Sequence, residues 1–137
     1  MKKILSTIAT AFLIMISLSS FANPLKEKDS KVIITSYVEA ITLGSDVYNK
    51  YLFCDDFEYS NTANRDKFNK RQYLKFLKNT KGCKFDCHTK YQILDETGKS
   101  CVAKATMKFN HFTRVDYISL NKTIDGWKVS KVVTTYP

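Results

Sequence analysis

Two charged side chains lie on an otherwise apolar strand pattern near the C-terminus. Arg114 and Asp116 are followed in the stretch RVDYISL by Ile118 and Leu120, and all four share one face because side chains two apart on a strand point the same way. Burial against an apolar wall raises the pKa of a carboxylate toward neutrality, which suits a general base. Buried charges are also paired for stability alone. The pattern therefore predicts either a base, Asp116, beside Arg114 in a cavity, or a structural ion pair.

Tyrosines could complete a site around this pair. The candidates are Tyr59, Tyr91 and Tyr117, whose hydroxyls could donate hydrogen bonds to a carboxylate or a ligand. Tyrosines that point into a cavity offer a ring face and a hydroxyl to a flat, partly polar molecule. With Arg114 and Asp116 they form the predicted ligand pocket.

Four cysteines, Cys54, Cys83, Cys87 and Cys101, give an even count, which in an exported chain indicates disulfides. Four cysteines allow three pairings. Cys83 and Cys87 can join only if the residues between them form a loop, because residues four apart on a strand lie roughly 13 Å from each other and a disulfide needs Cα atoms within about 7 Å. We favour that loop pairing, together with Cys54 to Cys101.

Other chemistries have little support. A zinc site of cysteines with His88 lacks the paired C-x-x-C arms typical of zinc, and C-x-x-x-C is not the thioredoxin redox motif. His88 and His111, the only histidines, are expected at the surface. There is no G-x-S-x-G nucleophile motif and no glycine-rich phosphate loop. We expect no metal and no cofactor.

The N-terminus reads as a secretory signal peptide. MKKILSTIATAFLIMISLSSFAN has two lysines, an apolar run and a small-x-small ending, which predicts export to the periplasm or the exterior, with cleavage after Ala22. An uncleaved anchor is the alternative, but the run is shorter than the ~20 residues that a span needs. Residues 23–29 form a flexible lead, and residues 30–137 are enough for one domain.

The chain is basic. Its formal charge of +9 falls to +7 without Lys2 and Lys3. Export argues against nucleic acid as the partner, and an anionic membrane surface stays open. One stretch concentrates this charge: Lys67, Lys70, Arg71, Lys75, Lys78 and Lys81.

Helical patterns fill the first half of the domain. Apolar residues from Ile33 to Ile41 recur at helical spacing, with Asp29 or Ser30 as the cap and Gly44 as the end. A second, short helix follows Ser45. A third helix runs through KRQYLKFLKNTKG, where Asn69 can cap the start and Gly82 the end.

Strand patterns fill the second half. A short strand is predicted at FEYS (57–60), and longer ones at 87–94, 101–109 and 114–120, with a last hairpin that turns at Asp125-Gly126. Helices first and an antiparallel meander afterwards predict an α+β domain with helices on one face of a curved sheet.

This order of elements resembles the nuclear transport factor 2-like superfamily, and within it small exported bacterial proteins labelled as lumazine-binding. The resemblance implies a cone-shaped antiparallel sheet wrapped by three helices, with a pocket inside that related branches use for isomerase or dehydratase chemistry. The residues that carry it are Tyr37, Asp56-Phe57, Tyr91-Gln92-Ile93, Ala103, Ala105, Asp116-Tyr117, Leu120 and Gly126-Trp127-Lys128-Val129.

Three functions follow as expectations. The first is a non-enzymatic exported domain that binds a small molecule or a protein in or over its cone. The second is an isomerase or dehydratase with Asp116 as the general base. The third is an interaction module that dimerises through the outer face of its sheet, as the resemblance implies. A closed pocket around Asp116 would favour the first two, and a filled core with Asp116 paired to Arg114 would favour the third.

Overall fold

The computed structural model describes residues 22–137. The predicted signal peptide, residues 1–22, lies outside the described residues apart from Ala22. No helix within residues 22–137 has both the length and the apolar character needed to cross a membrane.

Helices form where the apolar stripes and caps predict them. Helix α1 spans Ser30–Thr42, and the Asp29 side chain caps it by accepting a hydrogen bond from the Val32 backbone N–H at 3.0 Å. Helix α2 is only Asn49–Leu52. Helix α3, Lys70–Asn79, begins with a capping box between Asn69 and Gln72, which satisfies two N–H groups at the start of the helix.

A six-stranded sheet forms the rest of the domain, in the order β2-β1-β6-β5-β4-β3. Neighbouring strands are antiparallel except β1 and β6, which are parallel. The α+β class is therefore confirmed, but the sheet is mixed and not wholly antiparallel as expected. The strands are β1 Phe53–Asn61, β2 Lys67–Asn69, β3 His88–Thr97, β4 Ser100–Lys108, β5 Thr113–Thr123 and β6 Gly126–Thr135.

The register breaks at three places along the strands. The breaks fall within β1 between Phe53 and Glu58, within β3 beside Leu94, and between β5 and β6 beside Ser130. Bulges of this kind bend a strand and increase its twist. The bent sheet closes its inner face around α1 and α3.

The junction between α1 and α3 is tight. Gly44, just after α1, has a φ of +65°, a left-handed conformation that glycine adopts without strain. A side chain at this position would collide with the backbone of Gly82. The Gly82 N–H also donates a hydrogen bond to the Gly44 carbonyl at 3.0 Å, so the segments that follow the two helices meet at these glycines.

Candidate functional site

Asp116 lies at the centre of a buried polar cluster on the inner face of the sheet. Its side chain is 0% exposed. One carboxylate oxygen, Oδ1, accepts from Arg114 Nε at 3.0 Å and from Thr134 Oγ1 at 2.7 Å. The other, Oδ2, accepts from Arg114 Nη2 at 3.1 Å and from the Tyr37 hydroxyl at 2.9 Å. Each oxygen therefore holds two donors.

The polar chain continues from the sheet into the helices. The hydroxyls of Tyr37 on α1 and Tyr73 on α3 lie 3.1 Å apart. The Tyr37 hydroxyl donates its single hydrogen to the hydrogen bond with Asp116. Its oxygen therefore accepts a hydrogen bond from the Tyr73 hydroxyl. The cluster thus ties β5 and β6 to both long helices through one carboxylate.

Burial and charge set the protonation of the cluster. Burial, reinforced by the negative charge of Asp116, raises the pKa of Tyr37 and of Tyr73. Burial alone would lower the pKa of Arg114, but the charge of Asp116 and the hydrogen bonds to it outweigh this and raise it. Both tyrosines stay neutral donors and Arg114 stays a cation at every physiological pH.

Aromatic rings fill the space beside this cluster. Tyr73 stacks on Phe57 at 5.2 Å and on Tyr59 at 4.8 Å between ring centroids. Phe53 meets Tyr73 edge-on at 5.6 Å and Tyr37 edge-on at 6.3 Å, all within the range of favourable aromatic pairs. The surface grooves of residues 22–137 include five of about 320 to 460 Å³, and none of these five is lined by Asp116.

The geometry limits what Asp116 can do chemically. An ionised carboxylate has about four lone-pair positions, and the four hydrogen bonds to Asp116 use all of them. A general base must lie within hydrogen-bond reach of the proton it removes. The positions within hydrogen-bond reach of the Asp116 carboxylate are occupied by Arg114, Thr134 and Tyr37.

The predicted pocket residues separate in space. Arg114 and Asp116 are together, as either reading of the pair required, and Tyr59 lies in the neighbouring aromatic stack with its pKa raised by burial. Tyr91 lies at the edge of the sheet, where its hydroxyl meets Thr35 at 3.0 Å. Tyr117 points to the outer face, because adjacent residues of a strand face opposite sides, and is 39% exposed.

Three members of the cluster were absent from the predicted site: Tyr37, Tyr73 and Thr134. Both tyrosines lie on predicted helices, but a helical pattern carries no information about how deeply each side chain is buried. Thr134 was hidden by the bulge beside Ser130. Counting back from the Thr123 to Gly126 pair of the hairpin would place Val133 opposite Asp116, whereas the bulge brings Thr134 there.

The structure contains neither of the two expected disulfides. All four are free thiols. Cys101 aligns with Leu120, Val129 and Phe53 across three neighbouring strands, so Cys54 and Cys101 are roughly 14 Å apart, about twice the separation that a disulfide allows. Cys83 and Cys87 do lie in an irregular segment, as that pairing requires. Burial raises the pKa of Cys54 and Cys101.

The remaining polar candidates are dispersed. His88 and His111 are exposed, as predicted. Within residues 22–137, no group of three or more histidine, cysteine or acidic side chains is placed to hold a metal ion.

Comparison with solved structures gives the fold. A protein of unknown function from Pectobacterium atrosepticum has a TM-score of 0.67 at 13% identity and covers 80% of this chain and 88% of its own. A nuclear transport factor 2-like protein of unknown function from Silicibacter pomeroyi has a TM-score of 0.64 at 10% identity, with 78% and 92% covered. A protein from Parabacteroides distasonis, provisionally named a ketosteroid isomerase, has 0.61 at 14% identity, with 85% and 94% covered.

The chain has the nuclear transport factor 2-like fold, as its sequence predicted. No protein-family model and no curated protein matches the chain. Similarity at this level of identity establishes the architecture of the chain and does not define a functional site.

Proposed function

We propose that this protein is an exported, non-catalytic binding module that engages its partner over the outside of its cone. The observation that carries the proposal is the saturation of Asp116, whose two carboxylate oxygens hold four donors at 2.7 to 3.1 Å. The one charge that could have served an internal reaction is committed to holding strands and helices together.

An isomerase or dehydratase function is less well supported. The provisional name of the Parabacteroides distasonis protein raises this possibility for the fold. A base at Asp116 would have to release at least one of its donors and admit substrate into space occupied by Phe53, Phe57 and Tyr73, which are at most 1% exposed. Opening that stack would expose large aromatic surfaces to water, which is unfavourable in free energy.

Dimerisation through the outer face of the sheet meets an electrostatic obstacle. That face carries Lys90, Lys104 and Lys108 on β3 and β4. A two-fold interface places the same patch against itself, so it would bring these like charges together. A partner with negative charge fits the outer face better than a second copy of this chain.

Native mass spectrometry of the full chain, expressed with its own N-terminus and purified without denaturant, tests the proposal. We expect the mass of the polypeptide alone. A small molecule retained at one per chain, and lost in Tyr73→Ala, would place the ligand inside the cone and overturn the proposal. Tyr59→Phe is the matched control, because it keeps the aromatic stack intact.

A further inference from the structure

Within residues 22–137, strand β3 forms a free edge of the sheet. It is the last strand in the order, and its partner in this part of the chain is β4. Nine of its ten residues are exposed and Tyr91 is half-buried. An edge strand presents unpaired N–H and C=O groups at every second residue, which is a template for another strand. Residues His88 to Ile93 pair with β4 in one regular register. The bulge beside Leu94 shifts that register.

A basic groove of about 340 Å³ lies on the outer side of this edge. Its charged side chains are Lys90, Lys104 and Lys108, and its remaining lining residues are neutral. The cross-strand register brings Lys90 beside Thr106, between the other two lysines on β4. No ion pair in residues 22–137 involves any of the three lysines. Like charges gathered without a carboxylate are unfavourable for the free protein, so this groove is suited to an anion.

A second hollow, of about 320 Å³, lies on the inner side of the same edge. It is formed between α1 and β3 by Val32, Thr35, Ser36 and Tyr91, with Asp29 and Lys31 also lining it. Val32 is 38% exposed, and the Tyr91 ring is fixed by its hydrogen bond to Thr35. The hollow therefore offers apolar surface that is already ordered.

We propose that the β3 edge binds an extended peptide segment of a partner protein in which acidic and apolar residues alternate. A strand added beside β3 would direct successive side chains to opposite faces. Carboxylates would enter the lysine groove, and apolar side chains would enter the hollow beside Val32 and Tyr91. This inference rests on the proposed function in placing the partner outside the cone, and it adds the partner's chemistry.

The length and placement of the segment follow from the bulge. Regular pairing is available from His88 to Ile93, so the segment spans about six residues. Beyond the bulge, Asp95 and Glu96 would repel acidic side chains, and Glu96 is already hydrogen-bonded to Ser30. The acidic positions therefore align with the Lys90 end of the strand.

A fluorescein-labelled hexapeptide of alternating aspartate and valine is the probe. Fluorescence anisotropy measures its binding to the full chain, and hydrogen exchange locates it. We expect saturable binding that weakens with salt and slows amide exchange within residues 88–93. Lys90→Glu should weaken binding at least about tenfold, since it replaces an attraction with a repulsion. Lys75→Glu, with the same change in net charge on the exposed side of α3, should leave binding unchanged.

Two further peptides make the test specific. A hexapeptide of the same composition with its aspartates in one block cannot place charges and valines on opposite faces. An alternating peptide with N-methyl groups on every backbone nitrogen that faces β3 cannot donate to the edge. Both should bind at least about tenfold more weakly, because each loses one of the two recognition elements.

Several results would overturn the inference. If the peptide with its aspartates in one block bound as tightly as the alternating peptide, binding would depend on charge attraction alone. Protection outside residues 88–93 would place the site elsewhere. A concentration-dependent dimer that protects β3 without peptide would make a second copy of the chain the occupant. None of these results alone puts a small molecule inside the cone. Failure of the proposed function is read separately, by native mass spectrometry, as a small molecule that is retained by the chain and lost in Tyr73→Ala.

Discussion

Replacing Asp116 by asparagine should destabilise the fold strongly, because within residues 22–137 its carboxylate is the counter-charge of the largely buried Arg114 guanidinium. The Arg114 side chain is 11% exposed and that of Asp116 is 0% exposed. The amide of asparagine keeps one acceptor oxygen, but it turns NH₂ donors toward groups that are themselves donors. Arg114 then keeps its charge without a partner, and the hydroxyl of Thr134 or Tyr37 loses its acceptor.

The expected loss follows from this geometry. Removing one partner of a buried ion pair costs about 3–5 kcal/mol, since the remaining charge stays desolvated. Domains of this size have a total unfolding free energy of roughly 5–15 kcal/mol. The substitution therefore removes a large share of the stability and should lower the urea midpoint by roughly 2 M for ordinary denaturant slopes.

Urea unfolding followed by the fluorescence of Trp127, the single tryptophan, measures this change in the closing hairpin. Asp55→Asn is the matched control. Asp55 also pairs with a cation, Lys70, at 3.2 Å, but its side chain is fully exposed, so its midpoint should not move measurably. A midpoint for Asp116→Asn within experimental error of the wild type would refute the structural role of the carboxylate.

Three other predictions follow from the same contacts. Thr134→Val removes the 2.7 Å hydrogen bond to Asp116 and should lower the unfolding free energy by about 1–2 kcal/mol; an unchanged value in urea titration would contradict that bond. Because the pKa of Tyr73 is raised in the folded state by burial, its contribution to stability is complete below the unfolded pKa of about 10 and is lost as the pH rises further. The fall in unfolding free energy at alkaline pH should therefore be smaller in Tyr73→Phe than in the wild type. An equal fall with pH in the two proteins would indicate that the Tyr73 hydroxyl is hydrated in the folded state. Mild oxidation of the native chain should remove at most two of its thiols, leaving Cys54 and Cys101 reduced because strands β5 and β6 lie between them; complete loss of thiols would contradict this register.

Local signals in the sequence accounted for the elements with strong patterns. The cap at Asp29, one of the two predicted residues, the cap at Asn69 and the Asp125-Gly126 turn lie where the sequence predicted them, because each depends on residues a few positions apart. The strand β2, Lys67–Asn69, was not predicted. It has only three residues within a stretch of turn-forming residues, so no period could reveal it.

The features that the sequence did not predict depend on contacts between residues far apart in the chain. The parallel pairing of β1 with β6 joins two strands that are neighbours in the sheet but far apart in the sequence. No local sequence pattern encodes this pairing. The candidate site was half predicted for the same reason. Arg114 and Asp116 share a strand, so their pairing could be anticipated, whereas the partners on α1, α3 and β6 depend on how the helices and a bulged hairpin close over the sheet.

The central claim is that side chains fill the interior of the cone and that Asp116 is saturated by donors of its own chain. Proton NMR of the hydroxyl groups of Tyr37 and Tyr73 tests it most directly, since a hydroxyl proton is visible only when exchange with water is slow. We predict two such resonances near neutral pH, one lost in Tyr37→Phe and the other in Tyr73→Phe. Absence of both from the spectrum of the folded wild type, with cross-relaxation from water to the side chains around Asp116, would contradict the claim and return the interior to consideration as a binding site.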